Sequence, residues 1–317
     1  IENGGWENEA TVEAFKNYCQ YVTEQLGDLM HYVCTINEAN MGIQVAAISA
    51  RYRAQMMAKM QRMQQGGAEE KKDLEGTAQV GMNFNDMMAN MQKQKEENVE
   101  IFGTDTLQTF VSARTPEGDM LVIRAHQAAR AAMKAVKPEL QIGLTLSLHD
   151  IQAQEGGEET AAKEWVDEFT HYVPYIKEDD FFGLQNYSRS LIGPNGILPV
   201  PEGAEITQMD YEYYPEGLEH VIRRVYEEMP MPIMVTENGI ATADDTRRVA
   251  YIQTAMNGVE NCIQDGIPVK GYMYWSMMDN FEWQKGFGMT FGLISVDRTT
   301  QTRTAKPSLT VLGNYTK

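Results

Sequence analysis

Two glutamates stand at the ends of runs that read as strands. Glu38 closes Tyr32-Val33-Cys34-Thr35-Ile36-Asn37-Glu38, and Glu237 follows Pro232-Ile233-Met234-Val235-Thr236. A carboxylate at the C-terminal lip of a parallel strand points into the mouth of an α/β fold, where ligands bind. Two such groups can act as nucleophile and general acid on one glycosidic bond, with retention when they lie roughly 5 Å apart. They need opposite protonation states at neutral pH, so their surroundings must split their pKa values. A lone Asn-Glu reads first as a solvated or ion-paired side chain. Thr236-Glu237-Asn238-Gly239 is more specific, because Asn-Gly favours a tight turn that would hold the carboxylate at the lip.

A third stretch bears on the same chemistry. Residues 271–286 bring Tyr272, Tyr274, Trp275, Asp279, Asn280, Glu282 and Trp283 together beside a strand end. Aromatic faces take the C–H faces of a sugar ring, and carboxylates and amides take its hydroxyls. A buried aromatic cluster would explain Tyr272 and Tyr274, but not the acids and amide beside them. Metal or nucleotide chemistry has little support. His31, His126, His149, His171 and His220 show no ligand spacing, and no phosphate-binding glycine motif is present. His149, just past a strand end, is the one histidine expected near the mouth; its plain reading is a hydrogen-bonded loop residue.

These groups need elements to position them. Apolar periodicity predicts helices over 8–26, 41–64, 84–99, 117–136, 158–177, 215–229 and 244–264. Strands are predicted at about 30–36, 141–147, 181–186, 232–236 and 270–275, and a polar loop at 65–82. The alternation implies parallel βαβ units. There are five such units, against the eight strands of a (β/α)8 barrel. Met56, Met57, Met60 and Met63, then Met87, Met88 and Met91, form stripes at helical spacing. The plain reading is an amphipathic helix pair whose thioethers fill an irregular contact; the sharper one is a subunit interface or a cover for the flank of a barrel.

The bulk numbers narrow the class. The chain has 317 residues, 43% hydrophobic and 23% charged, with a net charge of −18. That charge argues against nucleic acid or an anionic membrane as partner. Cys19, Cys34 and Cys262 are odd in number and far apart, so neither a disulfide framework nor a zinc site is expected and a reducing, cytoplasmic setting is favoured. No apolar run approaches the ~18 residues of a membrane span.

Thr35-Ile36-Asn37-Glu38-Ala39-Asn40 resembles the T-F-N-E-P-N signature of glycoside hydrolase family 1, the β-glucosidase family. Val235-Thr236-Glu237-Asn238-Gly239 is similar to its I/V-T-E-N-G nucleophile motif. Residues 271–286, continued by Phe291-Gly292-Leu293, resemble its sugar-binding loop, and residues 300–308 its closing T-Q-x-R-x-x-K-P-S. The resemblance covers nearly all of the chain outside roughly 51–115.

The resemblance implies roles. Glu38 would be the acid/base and Glu237 the nucleophile. Asn37 would bind the 2-hydroxyl, and Tyr187 would hydrogen-bond the nucleophile. Gln185 stands where many members carry Asn and keeps the amide. Trp275 would floor the sugar site, Phe291 would belong to the same loop, and Glu282 and Trp283 would hold the far hydroxyls. Members acting on 6-phosphoglycosides generally carry Ser at the position of Glu282, and a Glu there would repel phosphate. Ala39 replaces the motif's Pro.

The implied protein is a retaining β-glycosidase acting on β-D-glucosides or short oligosaccharides, with no cofactor. Its fold would be an α/β (β/α)8 barrel represented by its last five units, as a single domain over 1–317 with a helical insertion at 51–115. The first three units, which supply a Gln and a His for the 3- and 4-hydroxyls, have no counterpart here. Five strands would leave open edges, so a second copy or a separate N-terminal piece is expected to cover them. The competing expectation is an inactive truncated relative serving as a sugar-binding or assembly subunit.

Overall fold

The computed structural model describes residues 4–64, 84–105, 107 and 112–315. The chain divides into two compact units, Ile1–Ile142 and Gly143–Lys317. Among the described residues no helix is long and apolar enough to cross a membrane.

The first unit is helical around one short strand. Its elements are α1 (Ala10–Leu26), β1 (Tyr32–Cys34), α2 (Met41–Gln64), α3 (Phe84–Phe102) and α4 (Pro116–Val136), with β2 (Gln141–Gly143) at the join. Its core gathers Cys19 of α1, Ala129 and Met133 of α4, and Leu140 and Ile142, with Phe15, Met30 and Val33 packed against them. The start of α4 is fixed by sequence. Thr115 accepts from the Gly118 N–H at 3.0 Å, and Pro116 opens the first turn, where it forfeits no intrahelical bond. Glu7 in turn accepts from the Thr115 N–H at 2.8 Å and its hydroxyl at 2.6 Å. The expected loop at 65–82 lies outside the described residues, as do the side chains of all the striped methionines except Met57, which is 64% exposed.

The second unit carries a four-stranded sheet in the order β3 (Thr145–Ser147), β5 (Phe182–Gln185), β8 (Ile233–Asn238), β9 (Val269–Tyr274), parallel throughout. Leu146, Leu184, Ile233 and Val235 have no exposed surface, as near-continuous apolar strands covered on both faces require. The connecting helices are α5 (Glu158–Trp165), α6 (Val173–Ile176), α7 (Gly217–Glu228) and α8 (Asp245–Gln264). α7 buries Leu218, Val221, Ile222 and Val225 along one stripe. A capping Asp244, accepting from the Thr246 N–H at 2.9 Å, starts α8.

All five expected strands are present, with local differences. The strand expected at 141–147 is two pieces, β2 and β3, broken at Leu144. The helix expected over 158–177 ends at Trp165, passes through a π turn at Val166–Thr170 and restarts as α6. Pro174 forces the break, because it has no N–H to donate and its ring clashes one turn back. Some short elements were not expected at all. These are a second sheet of β4 (Asp150–Ala153), β6 (Arg189–Gly193) and β7 (Gly196–Ile197), a hairpin of β10 (Ile294–Val296) and β11 (Arg303–Ala305), and the helix α9 (Pro307–Asn314). Asp245 docks α9 on the start of α8 by accepting from the Ser308 N–H at 2.9 Å and its hydroxyl at 2.8 Å.

Candidate active site

In the first unit, Glu38 does not end a strand. β1 stops at Cys34, and Glu38 sits in the turn beyond it with φ +45°. A left-handed backbone is uncommon for a residue with a side chain and must be held by its surroundings. The Thr35 hydroxyl is 2.7 Å from Nδ1 of the buried His126 on α4. The Glu38 carbonyl accepts from the Met41 N–H at 2.8 Å and so closes the turn into α2. The buried Arg114 guanidinium donates to the Ala39 carbonyl and reaches Asp119 Oδ1 at 3.3 Å. Ala39 and Asn40 are buried, Glu38 is half-buried and Asn37 is exposed.

In the second unit, Glu237 lies within β8, next to last, and pairs in register with Gln185. The Asn186 N–H donates to its carbonyl at 3.2 Å, and the Tyr187 hydroxyl donates to its Oε2 at 2.5 Å. Phe291 is 2% exposed and meets the Tyr187 ring edge-on at 6.3 Å between centroids. The structure thus brings Gln185, Tyr187, Glu237 and Phe291 together at the C-terminal end of the parallel sheet, where ligands are expected.

The expected Asn-Gly turn after Glu237 is not what holds the carboxylate. Asn238 still belongs to β8, and its carbonyl accepts from the Trp275 N–H at 2.9 Å. Gly239 serves a close approach instead: a Cβ there would lie 2.0 Å from the Trp275 carbonyl oxygen. The Asn238 side chain, fully buried, is a junction that turn statistics gave no means of seeing.

Beyond β9 the chain places Trp275 against Glu282, with Nε1 donating to Oε2 at 3.4 Å. The Trp275–Ser276 peptide is cis. Burial pushes the Glu282 carboxyl above its usual range, with the Trp275 hydrogen bond opposing. Trp283 is 57% exposed with φ +37°, and Phe281 and Phe287 stack edge to face at 5.1 Å beside it. Asp279 is structural. It accepts from the Gly292 N–H at 2.8 Å and from Lys306 Nζ at 3.1 Å on both oxygens, and Lys306 also donates to the Gly292 carbonyl at 2.7 Å.

His149 is fixed at the end of β3 by one carboxylate. Glu168 accepts from its backbone N–H at 3.0 Å and lies 2.8 Å from its Nδ1. The preceding residue, Leu148, donates its N–H to the Gln185 carbonyl at 2.8 Å.

Parallel strands alternating with helices, a glutamate held by a tyrosine at the sheet's C-terminal end and an aromatic–carboxylate loop after β9 define an α/β protein with a candidate ligand site at that end of the sheet. The sequence profile of glycosyl hydrolase family 1 matches residues 1–314, and the chain belongs to that family. It is similar to a 1,4-beta-D-glucan glucohydrolase of Thermotoga neapolitana, 37% identical over 147 residues, which are 42% of this chain and 33% of that one. A beta-glucosidase of Agrobacterium sp. is 26% identical over 96% of this chain and 66% of its own length. Among solved structures, beta-glycosidase BGL167 is 39% identical with a TM-score of 0.78, matching 99% of this chain and 68% of that one. Beta-glucosidase 1317 is 34% identical with a TM-score of 0.80, over 98% and 69%. The alignment thus spans about a third of the Thermotoga relative, and about two thirds of each of these solved chains.

Proposed function

We propose that the chain supplies the last five strand–helix units of a (β/α)8 barrel and hydrolyses β-D-glucosides or related β-glycosides with retention. Residues 51–115 are then an insertion within that single barrel domain. The observation that carries the reading is the hydrogen bond from Tyr187 to Glu237 at 2.5 Å, on the strand carrying Val235-Thr236-Glu237-Asn238-Gly239.

Glu237 attacks the anomeric carbon and displaces the aglycone, whose departing oxygen takes a proton from Glu38. Glu38 then removes a proton from water, which releases the sugar from Glu237. Donation from Tyr187 to one oxygen leaves the other Glu237 oxygen as the attacking one. Asn37 binds the 2-hydroxyl, where contacts strengthen in the transition state. Trp275, Glu282, Trp283, Gln185 and Phe291 build the glycone side. A non-phosphorylated sugar is preferred because an acidic Glu282 disfavours a phosphate there.

The test is release of nitrophenol from 4-nitrophenyl β-D-glucoside by this chain and by Glu237→Gln. Turnover that vanishes in the variant supports the reading. Equal turnover in both would remove Glu237 from the chemistry.

A further inference from the structure

We propose that Asn238 and Tyr251 are positioning residues that aim Tyr187 at Glu237, through a buried hydrogen-bonded junction tying β8, the end of β5, α8 and β9 together. The inference rests on the reading of Glu237 as nucleophile only for its effect on turnover; the junction itself stands on geometry.

The Asn238 carboxamide uses both kinds of atom. Its Nδ2 donates to the Asn186 carbonyl at 2.6 Å and to the Tyr251 hydroxyl at 2.9 Å. Its Oδ1 accepts from the Tyr272 hydroxyl at 2.8 Å. The Tyr251 hydroxyl passes the connection on by donating to the Tyr187 carbonyl at 3.2 Å. The residues on both sides of the Tyr187 Cα are therefore tied down. The Asn186 carbonyl precedes it and the Tyr187 carbonyl follows it, and both bonds trace back to one side chain. That side chain belongs to the residue directly after Glu237. The carboxylate and the tyrosine that donates to it are thus referenced to the same junction, although one stands on β8 and the other just past the end of β5.

The frame around the junction is stiff. Asn186 Nδ2 donates to the Leu148 carbonyl at 2.9 Å and the Ser188 carbonyl at 3.0 Å. One helical turn before Tyr251, the fully buried Arg248 donates to Asp245 Oδ1 and to the Thr242 and Thr290 carbonyls, each at 2.5 Å, which locks α8 in place. Burial holds the Tyr251 and Tyr272 phenols well above their usual pKa, so both remain hydroxyl donors across the working range. The junction is uncharged and runs through continuous hydrogen bonds from Asn238 to Tyr187, the kind of buried network that rigidifies a site without adding a charge to it. A supporting shell of this kind matters, because a site loosened by about 1 Å can lose up to roughly a hundredfold in rate.

The test replaces hydroxyls and leaves the rings. In Tyr251→Phe the Tyr187 carbonyl loses its donor, and in Tyr272→Phe Asn238 loses one of its three bonds. The readout is the ¹³C chemical shift of the tyrosine Cζ atoms, which reports on phenol hydrogen bonding. The Tyr187 signal is assigned by its loss in Tyr187→Phe, and near-ultraviolet circular dichroism checks the fold. The expected result is a displaced Tyr187 signal in Tyr251→Phe and a smaller displacement in Tyr272→Phe. Where turnover is measured, kcat should fall about tenfold in Tyr251→Phe, with KM changed less than about twofold.

A Tyr187 signal and kcat that stay unchanged while only thermal stability falls would overturn the proposal and leave the junction a purely structural role. If Tyr251→Phe does not fold, Tyr272→Phe decides by the same criteria. A displaced Tyr187 signal together with undiminished turnover in Glu237→Gln would keep the junction and sink the nucleophile assignment instead, so the two failures are distinguishable.

Discussion

The Tyr187 hydroxyl donates to Glu237 Oε2 at 2.5 Å, from the segment just past β5 to the neighbouring parallel strand β8. A phenol bound to one carboxylate oxygen fixes the carboxylate's rotamer and holds the other oxygen in place. Removing the hydroxyl should therefore slow attack while leaving substrate binding largely intact. Tyr187→Phe is expected to lower kcat/KM on aryl β-glucosides by roughly 10- to 100-fold, the worth of one hydrogen bond to a charged group. Steady-state kinetics would show it, and an unchanged kcat/KM would mean that the contact does not serve the reaction.

Glu38 is tested by the leaving group. If it donates the proton to the departing oxygen, Glu38→Gln should slow poor leaving groups most. Activated aryl glycosides leave without a proton and should lose much less. A series of aryl β-glucosides of graded phenol acidity would show a steeper dependence of rate on leaving-group acidity in the variant. Equal losses across the series would end the acid/base assignment.

Much of the main sheet was legible because its strands are short apolar runs bounded by polar residues, as at Ile233–Val235. Both glutamates were legible as carboxylates following such runs. The mode of holding was not. Glu38 sits in a left-handed turn fixed by Arg114 and His126, which are 76 and 88 positions away and invisible to any local pattern. Asn238 was read through its turn propensity, yet tertiary hydrogen bonding keeps it in the strand and sends its amide inward. The β4–β6–β7 sheet escaped because Asp150, Gln152 and Arg189 pair with each other, with Glu212 and with His220 rather than forming an apolar face. Tyr251 gave no signal at all, since one tyrosine on the apolar stripe of α8 reads as core.

Glu282 should leave a mark on the pH dependence of stability. Burial raises its carboxyl above the usual value, so the folded chain holds the proton longer than the unfolded one. Its contribution is most favourable below the unfolded pKa and is lost as pH rises through the folded one. Glu282→Gln keeps an acceptor for Trp275 and cannot ionise. Its melting temperature should match that of the parent in acid and exceed it increasingly toward neutrality. Thermal melts from pH 4 to pH 8 would show a widening gap; a gap that is constant or reversed would rule out a desolvated carboxylate.

The Asp279–Lys306 pair ties the loop after β9 to the segment before α9. Both side chains are largely shielded, at 12% and 17% exposure, and burial lowers the Lys306 pKa even with its partner in place. Lys306→Met leaves Asp279 with its charge and without its cation. The expected cost is about 1–3 kcal/mol, below the full penalty for breaking a deeply buried pair because some solvent reaches the site. Chemical denaturation would measure it, and Lys306→Arg should recover part of the loss. A variant as stable as the parent would mean that water replaces the ammonium at no cost.

Gly239 tests whether the backbone approach after Glu237 sets the site. An alanine Cβ there would lie 2.0 Å from the Trp275 carbonyl oxygen and 3.2 Å from the Tyr274 ring. Neither neighbour is the free end of a flexible side chain, so β8 and the Trp275 segment must move apart. Overpacking of this kind typically costs about 1–3 kcal/mol. It would also stretch the bond from the Trp275 N–H to the Asn238 carbonyl, now 2.9 Å. Gly239→Ala should therefore lower both the melting temperature and the turnover of aryl glucosides, although it alters no group assigned to chemistry. Trp275 fluorescence should shift with them as the indole leaves Glu282. Loss of stability with an unmoved Trp275 spectrum and intact turnover would show that the strain relaxes away from the site.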